Sequence, residues 1–394
     1  MRIAHVVPSY LPAVRYGGPI FSVHALCREL SARGHEVEVF TTNLDGAGVS
    51  AVPLDKPLSV DGVKVRYFFA DVSRRLSWSP SMARALKREL PRLDAVHIHT
   101  IFLWPTWAAA RIATRHGLPY VLSPRGMLVK DLIQRRSRLA KSVWIKLIER
   151  RNLERASAIH VTSEIETAEL QRFNWHLPQV TAIPNGVDVL QPATAAEPSD
   201  DIKQVMAEQP LALFLGRISW KKGLDRLLHA LARTTTARLA IVGPDDEHLV
   251  LKLAQLSEQL QIRDRVSFIP RVVRGSDKDH LFAAARVFVL PSYSENMGNV
   301  VLEAMQRGVP VITTPEVGAA EIVREAGSGL VVDGEPEALG STIERLIKNR
   351  ALAESMGAAG KRHVTEHYTW AQIAARMEQL YARIIGEGAR RRRA

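Results

Sequence analysis

The stretch Leu211-Ala212-Leu213-Phe214-Leu215-Gly216-Arg217-Ile218-Ser219-Trp220-Lys221-Lys222-Gly223 decides the fold. Five apolar residues in succession, with no polar alternate, suit a strand buried on both faces. Gly216 ends the strand, a basic loop follows, and after Gly223 an apolar pattern with helical spacing begins. Strand, basic loop and helix start together make an anion site, because the first turn of a helix offers unbonded N–H groups and partial positive charge. Arg217 can grip phosphate oxygens with a planar fork and Lys222 adds a point charge. A solvated basic turn is the plainer alternative.

The same alternation extends in both directions. Downstream, strands are expected at Arg238–Val242, Val266–Ile269, Val287–Leu290, Val309–Thr313 and Leu330–Val332, with helices near 223–232, 246–260, 276–285, 298–307, 318–325 and 336–349. Upstream, Arg2–Val7, Glu36–Thr41, Val63–Phe69, Ala95–His99 and Tyr120–Ser123 read as strands, interleaved with helices at Pro19–Arg33, Met82–Arg88 and Pro105–His116. Near-continuous apolar strands alternating with helices indicate two α/β, doubly wound parallel sheets. The polar run Thr194–Asp201 reads as a linker, which divides the chain into 1–193, 194–367 and a last helical segment 368–394 expected to cross back to the first domain.

Bulk composition limits the function. The 394 residues are 46% hydrophobic and 24% charged, as in a globular protein with room for two cores. Cys27, the single cysteine, sits in an apolar pattern and reads as core; no internal disulfide can form. The formal charge of +12 is uneven: residues 1–185 hold 26 Lys/Arg against 15 Asp/Glu, and the remainder 27 against 26. No targeting segment or membrane span is read, so the expected location is cytoplasmic. The stretch Lys130–Arg155 has nine Lys/Arg against three Asp/Glu, with Leu139, Ala140, Val143, Trp144, Leu147 and Ile148 on one helical stripe. It reads either as a helix packed on the first domain or as a surface resting on anionic lipid at the inner face of the cytoplasmic membrane, with Trp144 at the interface. Basic residues interleaved with aromatics, the pattern of a nucleic-acid surface, are not seen.

Further motifs carry polar chemistry. Pro291-Ser292-Tyr293-Ser294-Glu295-Asn296-Met297-Gly298-Asn299 leads into Val300-Val301-Leu302-Glu303. Glu295 falls at a strand end and Glu303 within the next helix, a placement better suited to holding sugar and ribose hydroxyls than to flanking one glycosidic bond. Gly17 and Gly18 precede Pro19 at a helix start. His97 and His99 share one strand face, with His99 at the C-terminal end, where open α/β sheets bind ligands. Asp277-Lys278-Asp279 spells a metal-type pattern, but Ser276 and Asp279 read as a capping box opening a helix.

Taken in order, Tyr16-Gly17-Gly18-Pro19, His97-Ile98-His99, Ser123-Pro124-Arg125-Gly126-Met127-Leu128, Ile183-Pro184-Asn185-Gly186-Val187-Asp188, Gly216-Arg217 with Lys222-Gly223, and Glu295-x7-Glu303 with internal Gly298 resemble the retaining GT-B glycosyltransferases of family 4. That resemblance implies two Rossmann-like domains facing across a cleft. It implies that Arg217 and Lys222 hold the donor diphosphate, that Glu295 meets the donor sugar and Glu303 the ribose. Backbone groups of Met297, Gly298 and Asn299 would face the ligand, and Gly17 and Gly18 would close on the diphosphate. His99 would reach the sugar near the reacting carbon, and Arg125 with His99 would meet the acceptor. Catalytic roles fall to Glu295, His99, Lys222 and Arg217, with no metal and no other cofactor. The expected reaction moves a hexose from a UDP- or GDP-sugar to a saccharide acceptor carried on polyprenyl diphosphate, in surface polysaccharide synthesis. A nucleotide-sugar epimerase of the same fold, a phosphorylase and a non-catalytic sugar-nucleotide-binding protein are the alternatives.

Overall fold

The computed structural model describes residues 1–15, 17–46, 48–70, 74–135, 143–190, 196–207 and 209–393; the side chains of 132, 134, 135 and 391–393 are outside that description. Tyr16, Leu139, Ala140, Thr194, Ala195 and the side chains of Arg391–Arg393 therefore lie outside the described residues. The chain divides into two compact units, Met1–Gly186 together with Trp370–Ala394, and Val187–Thr369. The first passage between units falls at Gly186/Val187, ahead of the polar run Thr194–Asp201. That run ends in a helix, Asp200–Ala207, because Ser199, Asp200 and Asp201 are helix-start residues. Its Asp201 carboxylate is bound to the Arg271 guanidinium at 2.8 Å.

In the first unit the strands are β1 (Arg2–Val6), β2 (Glu36–Thr42), β3 (Pro57–Val60), β4 (Val63–Phe68), β5 (Ala95–His99), β6 (Tyr120–Ser123), β7 (Ala158–Val161) and β8 (Val180–Ala182). They form one sheet in the order β8-β7-β6-β5-β1-β2-β4-β3, parallel except for the β3–β4 hairpin. The order reverses between β1 and β5, so the loops after these two strands border the topological switch point, where such sheets place ligands. The helix Trp370–Arg393 belongs to this unit; its Ile373, Ala374, Met377, Leu380, Tyr381 and Ile384 are buried. Cys27 is buried in the helix Gly18–Ala32, which agrees with its apolar setting.

The second unit has β9 (Leu211–Leu215), β10 (Arg238–Val242), β11 (Val266–Ile269), β12 (Ala285–Leu290), β13 (Val311–Thr313) and β14 (Gly329–Val331). Their order is β11-β10-β9-β12-β13-β14, all parallel. Its switch point lies between β9 and β12. The loops that leave these strands are the Gly216–Gly223 loop and the Pro291–Gly298 loop.

Candidate active site

The second unit's candidate residues sit on and after the two loops beside its switch point. A 3-10 turn, Trp220–Lys222, feeds Gly223 and then the helix Leu224–Leu231. Gly223 has φ +64, and a Cβ there would lie 2.1 Å from the Pro291 carbonyl oxygen, so only glycine fits. The Tyr293 N–H donates to the Lys221 carbonyl at 2.7 Å and ties the loops together. Lys222 Nζ is bonded to Glu295 Oε2, with about four-fifths of both side chains covered. Burial lowers the pKa of Lys221, Glu295 and Glu247 work against that shift, and Lys222 and Arg217 add to it. Lys221 is thus close enough to Arg217, Lys222 and Glu295 to feel the charge of each, with Arg217 exposed.

The Glu295 loop is held from outside. Its N–H donates to Glu316 O at 3.1 Å, Gly318 N–H donates to Glu295 O at 2.9 Å, and Ala319 N–H donates to Met297 O at 2.8 Å. Met297 is buried. Gly298, φ +79, caps the helix Asn299–Gln306 without a side chain, and a Cβ would press on Val317, Leu290 and Glu295 at 3.1–3.3 Å. A glycine cap leaves the helix's first turn open to an anion or hydroxyl. Glu303 stands one turn further along this helix, its carboxylate 2.5 Å from Lys278 Nζ.

The Asp277-Lys278-Asp279 carboxylates are committed elsewhere. Asp277 accepts from Ser199 and Arg271, and Asp279 from Arg307 at 2.6 Å. Two carboxylates pinned by separate arginines do not offer a shared cation site. The expected capping box is corrected as well: the helix runs Gly275–Ala284 with Arg274 as its cap. Ser276 Oγ donates instead to the Ala196 carbonyl.

The first unit's candidate residues centre on buried histidines. His5 on β1 and His97 on β5 are register partners, and His99 is opposite Ser123 on β6. One chain of hydrogen bonds can be oriented from its end. The Ile183 carbonyl only accepts, so His160 Nε2 donates to it at 2.8 Å, leaving Nδ1 to accept from Ser123 Oγ at 2.7 Å. Ser123 Oγ then accepts from His97 Nε2 at 2.7 Å, and His97 Nδ1 accepts from the Tyr381 hydroxyl at 2.7 Å. A second chain starts at Arg125. Its Nη2 donates to His99 Nδ1 at 3.2 Å, and His99 Nε2 donates to His5 Nδ1 at 3.0 Å. His5 Nε2 and Arg125 Nε are buried with no partner among the described residues.

Burial, reinforced by the Arg125 charge, holds these imidazoles neutral. His5 and His160 are pushed down to about 3, and His97 and His99 lie well below their ordinary value. Nitrogens of His5, His97 and His99 lie within 4.8 Å of one another, the spacing of a metal triad. The bond pattern opposes that use. The lone pairs of His5 Nδ1, His97 Nδ1 and His99 Nδ1 already accept hydrogen bonds, and a buried guanidinium stands beside them.

Around His99 the backbone is strained: Thr100, Phe102 and Arg125 all have φ between +56° and +69°. Non-glycine residues rarely hold this conformation, and such strain concentrates at ligand sites. Gly17, φ +74, precedes the uncapped helix Gly18–Ala32, with Gly18 exposed at its start.

The sequence-derived candidates thus fall into two sets. Arg217, Lys222, Glu295, Met297 and Gly298 lie on the β9 and β12 loops, and Asn299 and Glu303 on the helix that follows. Gly17, Gly18 and Arg125 follow strands of the first unit, and His99 ends one. His99 has both ring nitrogens engaged, so it must release Arg125 or His5 to bond a sugar. His97 is a core histidine with both nitrogens satisfied. Asn185, read as architecture, also accepts from Arg125 Nη1 at 3.1 Å. Sequence reasoning missed His5, Ser123, His160, Tyr381, Lys221 and Lys278. The one available signal was a polar residue inside an apolar strand, as at His5 and His160.

Comparison with known proteins agrees with this layout. Residues 17–186 match the model of the glycosyl transferase 4-like domain, and residues 197–363 match glycosyl transferases group 1. A D-inositol 3-phosphate glycosyltransferase of Xylanimonas cellulosilytica is 28% identical, covering 93% of this chain and 91% of that protein. The solved sucrose-phosphate synthase of Thermosynechococcus elongatus superposes with a TM-score of 0.75 at 24% identity, covering 98% of this chain and 99% of the other. Anabaena HepE, solved in complex with UDP and glucose, gives a TM-score of 0.73 at 18% identity, covering 97% and 99%. Two matched domains that together take in most of the chain, on two Rossmann-like parallel sheets, make this protein a glycosyltransferase of the GT-B fold, with a 4-like domain followed by a group 1 domain.

Proposed function

We propose that the protein transfers a hexose from a UDP- or GDP-sugar to a saccharide acceptor with retained anomeric configuration and without a metal. The observation that carries this reading is the gathering of Arg217, Lys221, Lys222 and Glu295 where the β9 and β12 loops meet. Three cations and two glycine-capped helix starts suit a diphosphate, and one carboxylate suits the hydroxyls of the attached sugar. HepE, a protein of the same fold, was solved with UDP and glucose, which supports a nucleotide-sugar donor. Arg217 and Lys222 neutralise the leaving diphosphate as charge builds on it. The acceptor hydroxyl enters on the face from which that diphosphate departs, and a phosphate oxygen takes its proton. Glu303 receives the ribose hydroxyls.

For the acceptor, a lipid-linked saccharide of surface polysaccharide synthesis is the first reading. It draws on the segment after residue 142. Val143 and Leu147 are 57% and 60% exposed, Lys146, Arg150 and Arg151 are exposed beside them, and Ile145, Glu149 and Leu153 face inward. That is an amphipathic, basic outer face suited to anionic lipid. Trp144 is not its anchor: its indole N–H donates to buried Glu149 at 2.7 Å. Among the described residues, no helix is long and apolar enough to cross a membrane. A second reading, a small phosphorylated acceptor, is favoured by relatives named for D-inositol 3-phosphate and sucrose phosphate. The Arg125 guanidinium, hydrogen-bonded to the neutral acceptors Asn185 and His99, could meet such a phosphate.

The test is a thermal-shift screen of UDP- and GDP-sugars, followed by transfer from the stabilising donor to lipid-extract and sugar-phosphate acceptors, with the product's anomeric configuration read by NMR. Donor isomerised without an acceptor would convert the assignment to an epimerase. Full transfer by both Glu295→Ala and Lys222→Ala would overturn the site.

A further inference from the structure

Asp277-Lys278-Asp279 has three consecutive side chains with three destinations. Asp277 is held by Ser199 and Arg271, and Asp279 by Arg307. Lys278 Nζ lies 2.5 Å from Glu303 Oε2, with side chains 24% and 29% exposed. Arg307 also donates through Nη1 to the Glu303 carbonyl at 3.1 Å. Among the described residues, Arg307 therefore anchors the backbone of Glu303 and Lys278 alone fixes its carboxylate.

We propose that Lys278 is a positioning residue for the nucleotide's ribose, acting through Glu303. The inference rests on the assignment of Glu303 to the ribose hydroxyls. A carboxylate has about four acceptor positions, so one ammonium contact leaves room for two hydroxyl donors. The ion pair selects the rotamer of Glu303 before ligand arrives, so less ordering remains to be done on binding. The two remaining Lys278 N–H donors can also serve a ribose oxygen.

The experiment is calorimetric titration of UDP, GDP and their 2′,3′-dideoxy counterparts into the full-length protein and its variants. Glu303→Gln tests the ribose assignment: it should weaken the ribonucleotide and leave the dideoxynucleotide unchanged. Lys278→Gln should show the same pattern, with about tenfold weaker ribonucleotide binding, and Lys278→Arg should recover most of it. Asp279→Asn removes the neighbouring ion pair and should lower the melting temperature without altering the ribo-to-dideoxy ratio. If Lys278→Gln keeps the wild-type ratio while Glu303→Gln loses it, Lys278 is only a helix tie and the proposal falls. If Glu303→Gln itself fails to discriminate, the ribose assignment falls and takes the Lys278 role with it.

Discussion

Gly223→Ala is the substitution whose outcome the geometry constrains most tightly. The new methyl group would sit 2.1 Å from the Pro291 carbonyl oxygen and 3.1 Å from two Arg226 carbons, whereas real Cβ contacts stop near 3.0 Å. The shortfall of 0.9 Å to Pro291 involves backbone on both sides, so two loops must part. Alanine at φ +64 costs about 1 kcal/mol, and forcing apart a packed contact adds about 2 kcal/mol. At roughly 2–4 °C per kcal/mol for a unit of this size, a total of about 3 kcal/mol lowers the melting temperature by about 6–12 °C. Gly327→Ala is the control: φ is +58 and nothing lies within 4 Å of its Cβ, so only the conformational cost of about 1 kcal/mol applies. Calorimetric melting of both variants, with titration of UDP and GDP, reads the difference. Gly223→Ala should also lose nucleotide affinity, since the parted loops carry Lys222 and Glu295. Equal melting temperatures for the two variants would refute the contact argument.

Lys222→Met should cut the transfer rate by roughly 10²–10³ with the fold intact, as expected for a lost charge on the leaving group, checked by steady-state rates and circular dichroism. The buried histidines make stability depend on pH. With native pKa values below the unfolded value of 6.5, the unfolded chain binds more protons between about 3 and 6.5. Stability is therefore complete above pH 6.5 and falls on acidification, by up to about 1.4 kcal/mol per pH unit for each histidine; urea titrations from pH 8 to 5 that show a flat profile would contradict it. Tyr381→Phe removes the donor to His97 Nδ1 and should cost about 1–3 kcal/mol of stability in denaturant melts. Chelation with EDTA should leave transfer unchanged, because the Asp277 and Asp279 carboxylates are engaged by arginines.

The parts of this molecule legible from sequence were those with local physical signatures. Apolar runs, unbroken in Leu211–Leu215 and interrupted by two histidines in Ala95–His99, marked these strands to the residue, and glycines at strand-to-helix turns marked Gly223 and Gly298. What escaped was made by distant partners. The helix Arg350–His367 was not among the expected helices. Its glycines serve packing: a Cβ on Gly357 would lie 1.9 Å from the Gly308 carbonyl, and one on Gly360 would lie 2.7 Å from Ser328. The edge strand β3 and the last strands β7 and β8 are short and only partly apolar, so periodicity passed them over. Tyr381 and His97 stand 284 positions apart, and nothing in either neighbourhood announces the other. The D-x-D reading missed where the three side chains go, since ion-pair partners leave no local trace.

The discontinuity of the first unit bears on how the protein is made. Residues 1–186 leave the ribosome long before Trp370–Arg393, yet that late helix supplies buried Met377 and Leu380 and the hydroxyl that closes the His97 chain. During translation the growing chain must carry an apolar groove and an unanswered imidazole acceptor while the whole of Val187–Thr369 is synthesised. Completion of the first unit's core is thereby coupled to synthesis of the helix Trp370–Arg393. A product that stops short of residue 370 would leave that surface bare for chaperones and proteases to recognise.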